Sequence, residues 1–277
     1  MEYIELNIAV TNPEQAEILT ALLADYPFEA FEEGDGELKA YIQTAEWSQC
    51  RVWVEPMLLE QGVQFAALEV QTQNWNAEWE SSFEAVDIQG EHPIRIRAEH
   101  HTPAPEGVMD VIIAPRMSFG TGHHTTTALM SATIVASAVE GKVGLDMGCG
   151  TGVLAIVALK CGAEHMVAVD IDDWACDSCR DSIALSSVAE KVDVRCGSID
   201  VVAGEKFDFI LANINRNILQ MMMADFAQSL NPNGWIAMSG FLHEDAELVA
   251  QSAQEHGLEF ITQHEQDGWV VMVCQKM

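Results

Sequence analysis

The sequence predicts an α/β protein in which a small α+β domain precedes a doubly wound, mostly parallel sheet. Three observations carry this. A glycine-rich turn, Gly148-Cys149-Gly150-Thr151-Gly152, joins one apolar run (Lys142 to Leu145) to another (Val153 to Leu159). Apolar runs beyond it alternate with helical stretches as far as Leu211. Residues 1–72, by contrast, follow a strand-helix-strand-strand-helix-strand order.

In the first domain, Tyr3 to Val10 reads as a strand and Pro13 to Asp25 as a helix. Phe28 to Glu32 and Glu37 to Gln43 are strands, with Gly34-Asp35-Gly36 as the hairpin turn. Glu46 to Glu60 is mostly helical and Gln64 to Gln71 is a strand. This order is ferredoxin-like. The domain holds fourteen acidic residues against Lys39 and Arg51, a net of −12. It carries no catalytic constellation, which leaves two roles: gripping a substrate, or a structural appendage.

Residues 73–90 read as a linker helix. Trp75, Trp79 and Phe83 recur every fourth residue on one face, a spacing that serves packing more often than recognition. The segment Glu91 to Pro105 is rich in histidine and proline. His92, His100 and His101 lack carboxylates at metal-ligand spacing, so a loop or connecting strand is expected and no metal. The catalytic domain then runs over 91–277.

The glycine turn supplies the chemistry. Glycines let a backbone pass close to a ligand, and the helix that follows presents unpaired N–H groups there. A dinucleotide fingerprint needs a third glycine where this chain has Val153, and no Gly-Lys-Ser/Thr triplet follows for a phosphate loop. An acidic residue, Asp146, before G-x-G-x-G resembles motif one of the class I S-adenosylmethionine methyltransferases. The next strand, His165 to Val169, ends on Asp170, placed to accept from both ribose hydroxyls. Asp173 to Ser186 is a helix and Val192 to Cys196 a third strand. Gly197-Ser198-Ile199-Asp200 is a loop positioned to meet an adenine ring. A fourth strand, Phe207 to Leu211, ends in Ala212-Asn213-Ile214. Ligands of such sheets bind at the carboxyl ends of the strands, where all these polar residues fall.

A second glycine motif, Phe119-Gly120-Thr121-Gly122-His123-His124-Thr125-Thr126-Thr127, precedes a helical stretch from Ala128 to Val139. Its Thr127 lies 21 residues before Gly148. With that spacing the pair of motifs resembles the ribosomal protein L-eleven methyltransferase family. Gly268 to Val273 is similar to the family's last strand, and Asn74 to Trp79 to its linker. The resemblance implies a Rossmann-like class I methyltransferase sheet and S-adenosyl-L-methionine as cofactor. It implies that Thr127, Gly148 and Gly150 sit in the cofactor pocket, that Asp170 binds the ribose and that Ile199 belongs to the adenine loop. Phe119, Gly120 and Thr121 are expected to close over the methionine portion. Asn213 is expected to line the transfer site as its catalytic residue. The threonines from 125 to 127 also read as a helix N-cap, and His123 or His124 as a polar cap on the pocket. The implied substrates are the lysine ε-amino groups and the N-terminal α-amino group of large-subunit ribosomal protein L-eleven, free or on the ribosome. Related amide and base methyltransferases carry Asn-Pro-Pro-Tyr where this chain has Asn213-Ile214-Asn215-Arg216, which argues against a planar amide or base.

Composition narrows the partners. With 13 lysines and arginines against 43 acidic residues, the formal charge is −30. Nucleic-acid affinity rests on clustered cations at phosphates, so direct binding of RNA or DNA is not expected, whereas a basic protein partner suits the surface. No apolar run is long enough for a membrane span, and the acidic N-terminus lacks a signal sequence. Seven irregularly spaced cysteines fit a reducing cytoplasm better than a disulfide framework. The C-x-x-C of Cys176 and Cys179 has no partner pair and reads as buried small residues. The rival readings are a methyltransferase of RNA or of a small molecule, and a non-catalytic S-adenosylmethionine-binding module. A nicotinamide-dependent oxidoreductase is more distant.

Overall fold

The structure, a computed structural model, describes residues 3–34, 36–70, 83–115 and 120–277. The chain divides into two compact units, Met1–Trp75 and Asn76–Met277.

The small unit runs β1 (Tyr3–Ala9), α1 (Pro13–Leu23), β2 (Phe28–Gly34), β3 (Glu37–Gln43), α2 (Thr44–Glu60) and β4 (Phe65–Val70). Its sheet order is β2-β3-β1-β4, antiparallel throughout, which is the ferredoxin-like arrangement. Alternation sets the faces: Ile4, Leu6 and Ile8 on β1 and Leu38, Ala40 and Ile42 on β3 are buried in one core with Leu19, Leu23, Val54 and Leu58 of the helices. Asn12 caps α1 by accepting from the Gln15 N–H at 2.9 Å, with Pro13 at the first turn, where a missing N–H costs nothing. The opposite sheet face carries Tyr3, Glu5 and Tyr41. Tyr41 Oη donates to Glu5 and Glu32, each at 3.1 Å, and Tyr3 Oη to Glu29 at 2.6 Å. Burial and the two carboxylates push the Tyr41 phenol well above its ordinary range.

The large unit begins with three short strands, β5 (Val86–Ile88), β6 (Ile94–Arg97) and β7 (Met109–Ile112), forming a sheet in that order. The linker helix expected over 73–90 is thus wrong at its end, where Val86, Asp87 and Ile88 form a strand paired with Ile96, Arg95 and Ile94. Asp87 and Arg95 face each other across that pair in a bidentate ion pair, both bonds 2.7 Å, which helical spacing cannot supply. Trp75 and Trp79 lie outside the described residues; Phe83 is buried in the core.

The remaining elements are α3 (Thr125–Ala136), β8 (Val143–Met147), α4 (Val153–Lys160), β9 (His165–Asp170), α5 (Asp173–Leu185), β10 (Val192–Cys196), β11 (Phe207–Asn213), α6 (Arg216–Ser229), β12 (Leu230–Leu242), α7 (Ala246–Glu255), β13 (Leu258–Gln266) and β14 (Trp269–Lys276). The seven-stranded sheet has order β10-β9-β8-β11-β12-β14-β13. Neighbours from β10 to β12 are parallel, and β14 is antiparallel to both β12 and β13. Strands covered on both faces become continuous apolar runs. Accordingly Phe209 and Leu211 pack with α3, α4 and α5, while Ile210 and Ala212 pack with α6 and α7. From Val153 to Leu159 every residue of α4 is buried, so this helix has no solvent face.

A serine ladder on α5 holds the small three-stranded sheet. Ser178, Ser182 and Ser186 recur every fourth residue. Ser178 Oγ donates to Ala114 O at 3.1 Å, and Ser182 Oγ accepts from Ala114 N at 2.9 Å. Ser186 Oγ accepts from Ile112 N at 3.0 Å and donates to Ile112 O at 2.7 Å. The hydroxyls thereby satisfy backbone groups at and beyond the end of β7, which the ladder would otherwise leave unpaired. Ser186→Ala is expected to lower the unfolding free energy of the large unit by about 1–2 kcal/mol in urea titration, the cost of orphaning both Ile112 groups.

Candidate active site

Parallel strands β8, β9, β10 and β11 all end at one edge of the sheet, and a cavity of about 500 Å³ opens there. Its floor is the glycine turn. Gly148, Gly150 and Gly152 all adopt positive φ, from 51° to 76°, a region that L side chains rarely enter. A Cβ on Gly148 would also strike Ile214 Cγ2, so this glycine lets the loop after β11 close onto the turn. Gly240, in the bulge of β12 with φ 93°, faces the backbone of Ile214 from the other side.

Asp170, at the tip of β9, lies in the cavity wall with both carboxylate oxygens engaged. Oδ2 accepts from Gly150 N at 2.9 Å and Oδ1 from Asp172 N at 3.1 Å. Each oxygen keeps a second lone pair, so two acceptors remain, rigidly oriented. The Asp170 backbone carbonyl accepts from Gly197 N at 2.8 Å, which fixes the Gly197-Ser198 loop in the wall.

Asp146 lies beneath the turn, 1% exposed. Its Oδ2 accepts from Ala155 N in the first turn of α4 at 3.1 Å, and its Oδ1 has no partner. Burial, aided by the nearby Asp170, raises its pKa to about 7 against an ordinary 3.8, although the Ala155 bond opposes the rise.

On the opposite wall stand Asn213, Ile218, Met222 and Trp269. Asn213 is half-buried, and its Oδ1 is shielded from solvent without a hydrogen-bond partner. His124 Nδ1 accepts from Thr126 N at 3.2 Å and caps α3, which leaves the proton of a neutral ring on Nε2. The same ring meets Trp269 edge to face, with centroids 4.5 Å apart.

Of the residues predicted from sequence, Gly148, Asp170 and Asn213 all line this cavity. The others named for the cofactor stand behind or beside it. Gly150 positions Asp170, as described above. Gly120 accepts through its carbonyl from Thr151 Oγ at 2.6 Å, which ties the upstream glycine motif to the turn. Thr121 is half-buried beside it. Thr127 is buried in the first turn of α3 with its Oγ1 unpartnered, and its neighbour Thr126 reaches the wall. Ile199 is partly buried against the core, next to Ser198. Phe119 lies outside the described residues. Sequence reasoning passed over Ile218, Met222, Gly240 and Trp269 as wall residues. Ile218 and Met222 are one helical turn apart on α6, a spacing that also fits ordinary core packing.

One further expectation is corrected. Cys176 and Cys179 are both buried, as expected, but the seven cysteines include a disulfide where none was expected: Cys176 pairs with Cys196, with Cα atoms 6.0 Å apart. They are 20 positions apart in sequence, and they meet because α5 starts just beyond the end of β9, beside which Cys196 is paired with Asp170 in the parallel register.

The cavity presents the Asp170 carboxylate with two acceptor positions free, and among the described residues no lysine or arginine lines it for a phosphate. A nucleoside whose tail carries no phosphate fits such a wall, and the unpartnered oxygen of Asn213, which belongs to the lining, fits a donor on that tail. With one reversed strand beside the last parallel ones, this chain is a class I S-adenosylmethionine-dependent methyltransferase.

Comparison with known proteins gives the family. A family model described as ribosomal protein L11 methyltransferase (PrmA) matches residues 4–277. A ribosomal protein L11 methyltransferase of Phocaeicola vulgatus is 34% identical over 98% of each chain. Another, of Porphyromonas gingivalis, is 38% identical over 92% of this chain and 89% of that one. The crystal structure of ribosomal protein L11 methylase from Lactobacillus delbrueckii subsp. bulgaricus shares the fold, with TM-score 0.64 and 24% identity, covering 70% of this chain and all of that one. The chain belongs to the ribosomal protein L11 methyltransferase family. Among the described residues no helix is long and apolar enough to cross a membrane.

Two outcomes test the site. Asp170→Ala should weaken S-adenosylmethionine binding by about 1–3 kcal/mol in calorimetry, the scale of lost hydrogen bonds to a charged acceptor. Asp146 takes up a proton on folding between its unfolded pKa of 3.8 and its folded value of about 7. Stability therefore falls as pH rises through that window, and above it the buried charge costs about 4 kcal/mol. Asp146→Asn should remove this slope, so the variant gains on the parent protein from pH 5 to pH 8 in denaturant titrations.

Proposed function

We propose that this enzyme methylates amino groups of ribosomal protein L11, on lysine side chains and at the N-terminus, and that it does so in the cytoplasm on free or ribosome-bound protein. The observation that carries this is the cavity itself. An unpartnered Asn213 carbonyl oxygen belongs to the same lining as the apolar side chains of Ile218, Met222 and Trp269. An aliphatic stem suits that wall, and an N–H donor suits the oxygen.

When bound, S-adenosylmethionine supplies a sulfonium methyl for in-line transfer. The chain's contribution is then orientation and exclusion of water. A lysine must be neutral to react, which costs roughly 4–5 kcal/mol at pH 7, against about 1 kcal/mol for an α-amine. A partly dry, apolar wall lowers that cost by disfavouring the ammonium form. His124 does not act as the base, since its Nδ1 is committed to the Thr126 N–H. Asn213 orients the amine. Arg216 stands where a planar-substrate clamp would place tyrosine, and it pairs with Asp245 and Asn217 instead.

Residues 1–72 form the substrate-recognition domain in this reading, followed by a linker over 73–90 and the catalytic domain over 91–277. A net charge of −12 suits a basic ribosomal protein, and Glu5, Glu29 and Glu32 are held on the open sheet face by Tyr3 and Tyr41. The same charge disfavours direct contact with nucleic acid.

The experiment is transfer of tritiated methyl from S-adenosylmethionine to undermethylated ribosomes and to free ribosomal proteins, resolved on a gel. Label in L11, on amino groups, is expected. Label in RNA alone refutes the proposal. The double variant Glu5→Lys, Glu32→Lys should raise KM for L11 while leaving cofactor affinity unchanged; an unaltered KM removes that face from recognition.

A further inference from the structure

Four of the seven cysteines gather behind the ribose side of the cavity: Cys149 in the glycine turn, Cys176 and Cys179 on α5, and Cys196 at the end of β10. They fall into two chemically different pairs. Cys149 and Cys179 are both buried. The Cys149 thiol is held well above its ordinary range by its hydrogen bond with Cys179, by burial, and by the nearby charges of Asp146 and Asp170. Burial also raises Cys50 and Cys161 and pushes Cys274 up to about 12. Thiols that resist ionisation are poor nucleophiles, so Cys50, Cys149, Cys161 and Cys274 are inert, and Cys179 is out of reach of solvent.

Cys176 and Cys196 are placed differently. Cys176 is fully buried, whereas Cys196 is exposed, and Arg180 Nη2 lies 3.7 Å from its sulfur. A guanidinium beside an exposed sulfur favours the thiolate, the form that exchanges with disulfides. The pair also sits between two wall segments. Cys196 directly precedes Gly197 and Ser198, and the Cys176 sulfur lies 3.5 Å from the Asp170 carbonyl oxygen. That same carbonyl accepts the Gly197 N–H at 2.8 Å. One covalent link therefore joins α5 to the end of β10, next to the wall segments that follow β9 and β10.

We propose that Cys176 and Cys196 form a reversible dithiol–disulfide switch that tunes cofactor affinity by clamping α5 to the end of β10 and so holding the adjoining Asp170 and Gly197-Ser198 segments of the wall. The oxidant is a low-molecular-weight disulfide, RSSR. The Cys196 thiolate attacks one sulfur of RSSR, the S–S bond of RSSR breaks, and RSH leaves with the proton given up by Cys196. Cys176 then attacks the Cys196 sulfur of the mixed disulfide, and a second RSH leaves with the Cys176 proton. Two electrons and two protons pass from the cysteines to RSSR, and excess thiol reverses both steps. The segments so held have less freedom left to lose when the cofactor binds, so the oxidised form binds more tightly. This rests on the reading that Asp170 forms the ribose side.

The test uses the full chain equilibrated in oxidised glutathione or in dithiothreitol. In denaturant, five thiols should react in the oxidised protein and seven in the reduced protein. Calorimetry with S-adenosylhomocysteine should show binding roughly fivefold weaker in the reduced protein, the scale of a modest loss of preorganisation. Cys196→Ser, a change at an exposed position, should bind like the reduced protein in both buffers. Seven reactive thiols after glutathione treatment, or equal affinity in the two states, overturns the switch. Undiminished binding by Asp170→Ala overturns the ribose assignment instead, and the thiol count separates the two failures.

Discussion

The architecture of the site depends on one residue's hydrogen bonds. The Asp170 carboxylate accepts amide N–H groups from the glycine turn and from the start of the α5 loop, and its backbone carbonyl accepts one from the loop after β10. Three segments that meet nowhere in sequence are thus referenced to a single strand tip. The carboxylate spends one lone pair of each oxygen on the protein and keeps one for a ligand. A site residue that is also the keystone of its own walls has few rotamers left to sample, which is the physical content of preorganisation here.

The other walls follow a shared device. His124, Asp172 and Asn215 each accept a backbone N–H two residues ahead and so start α3, α5 and α6. Three helix N-termini converge on the edge where the parallel strands end, and with them partial positive charge. Asp146 belongs to the same pattern from inside the core: its carboxylate meets the first turn of α4, and burial raises its pKa to about 7, so that it is only partly ionised at neutral pH. The edge thereby combines polarity with few full charges, a setting suited to a cationic sulfonium and an amine that must lose its proton.

Much of this was legible in the chain. Strand and helix periods placed the parallel strands and both helices of the small unit within a few residues, because each is long and patterned on one or two faces. Gly148, Asp170 and Asn213 were found by spacing, since a turn and two strand tips occur at fixed intervals along a doubly wound sheet. What escaped has physical causes. Trp269 and Gly240 come from strands late in the chain whose approach to the turn depends on the reversed β14 and on the bulge in β12. The strand at 86–88 is three residues long and owes its existence to Arg95 across the pair. The serine ladder reads, in one dimension, as an ordinary polar helix face. The Cys176–Cys196 pair required the parallel register of two strands to be seen.

The close approach around Ile214 has an evolutionary consequence. Its side chain fills the space a Cβ on Gly148 would need, and its backbone fills the space beside Gly240. The position of Asn213, one residue earlier, is therefore specified by two absent methyl groups, on strands separated by more than ninety positions. Drift at any of these three sites is constrained by the other two. A lineage that acquires a side chain at 148 must first lose bulk at 214, and no single substitution reaches that state without displacing Asn213 in the cavity wall.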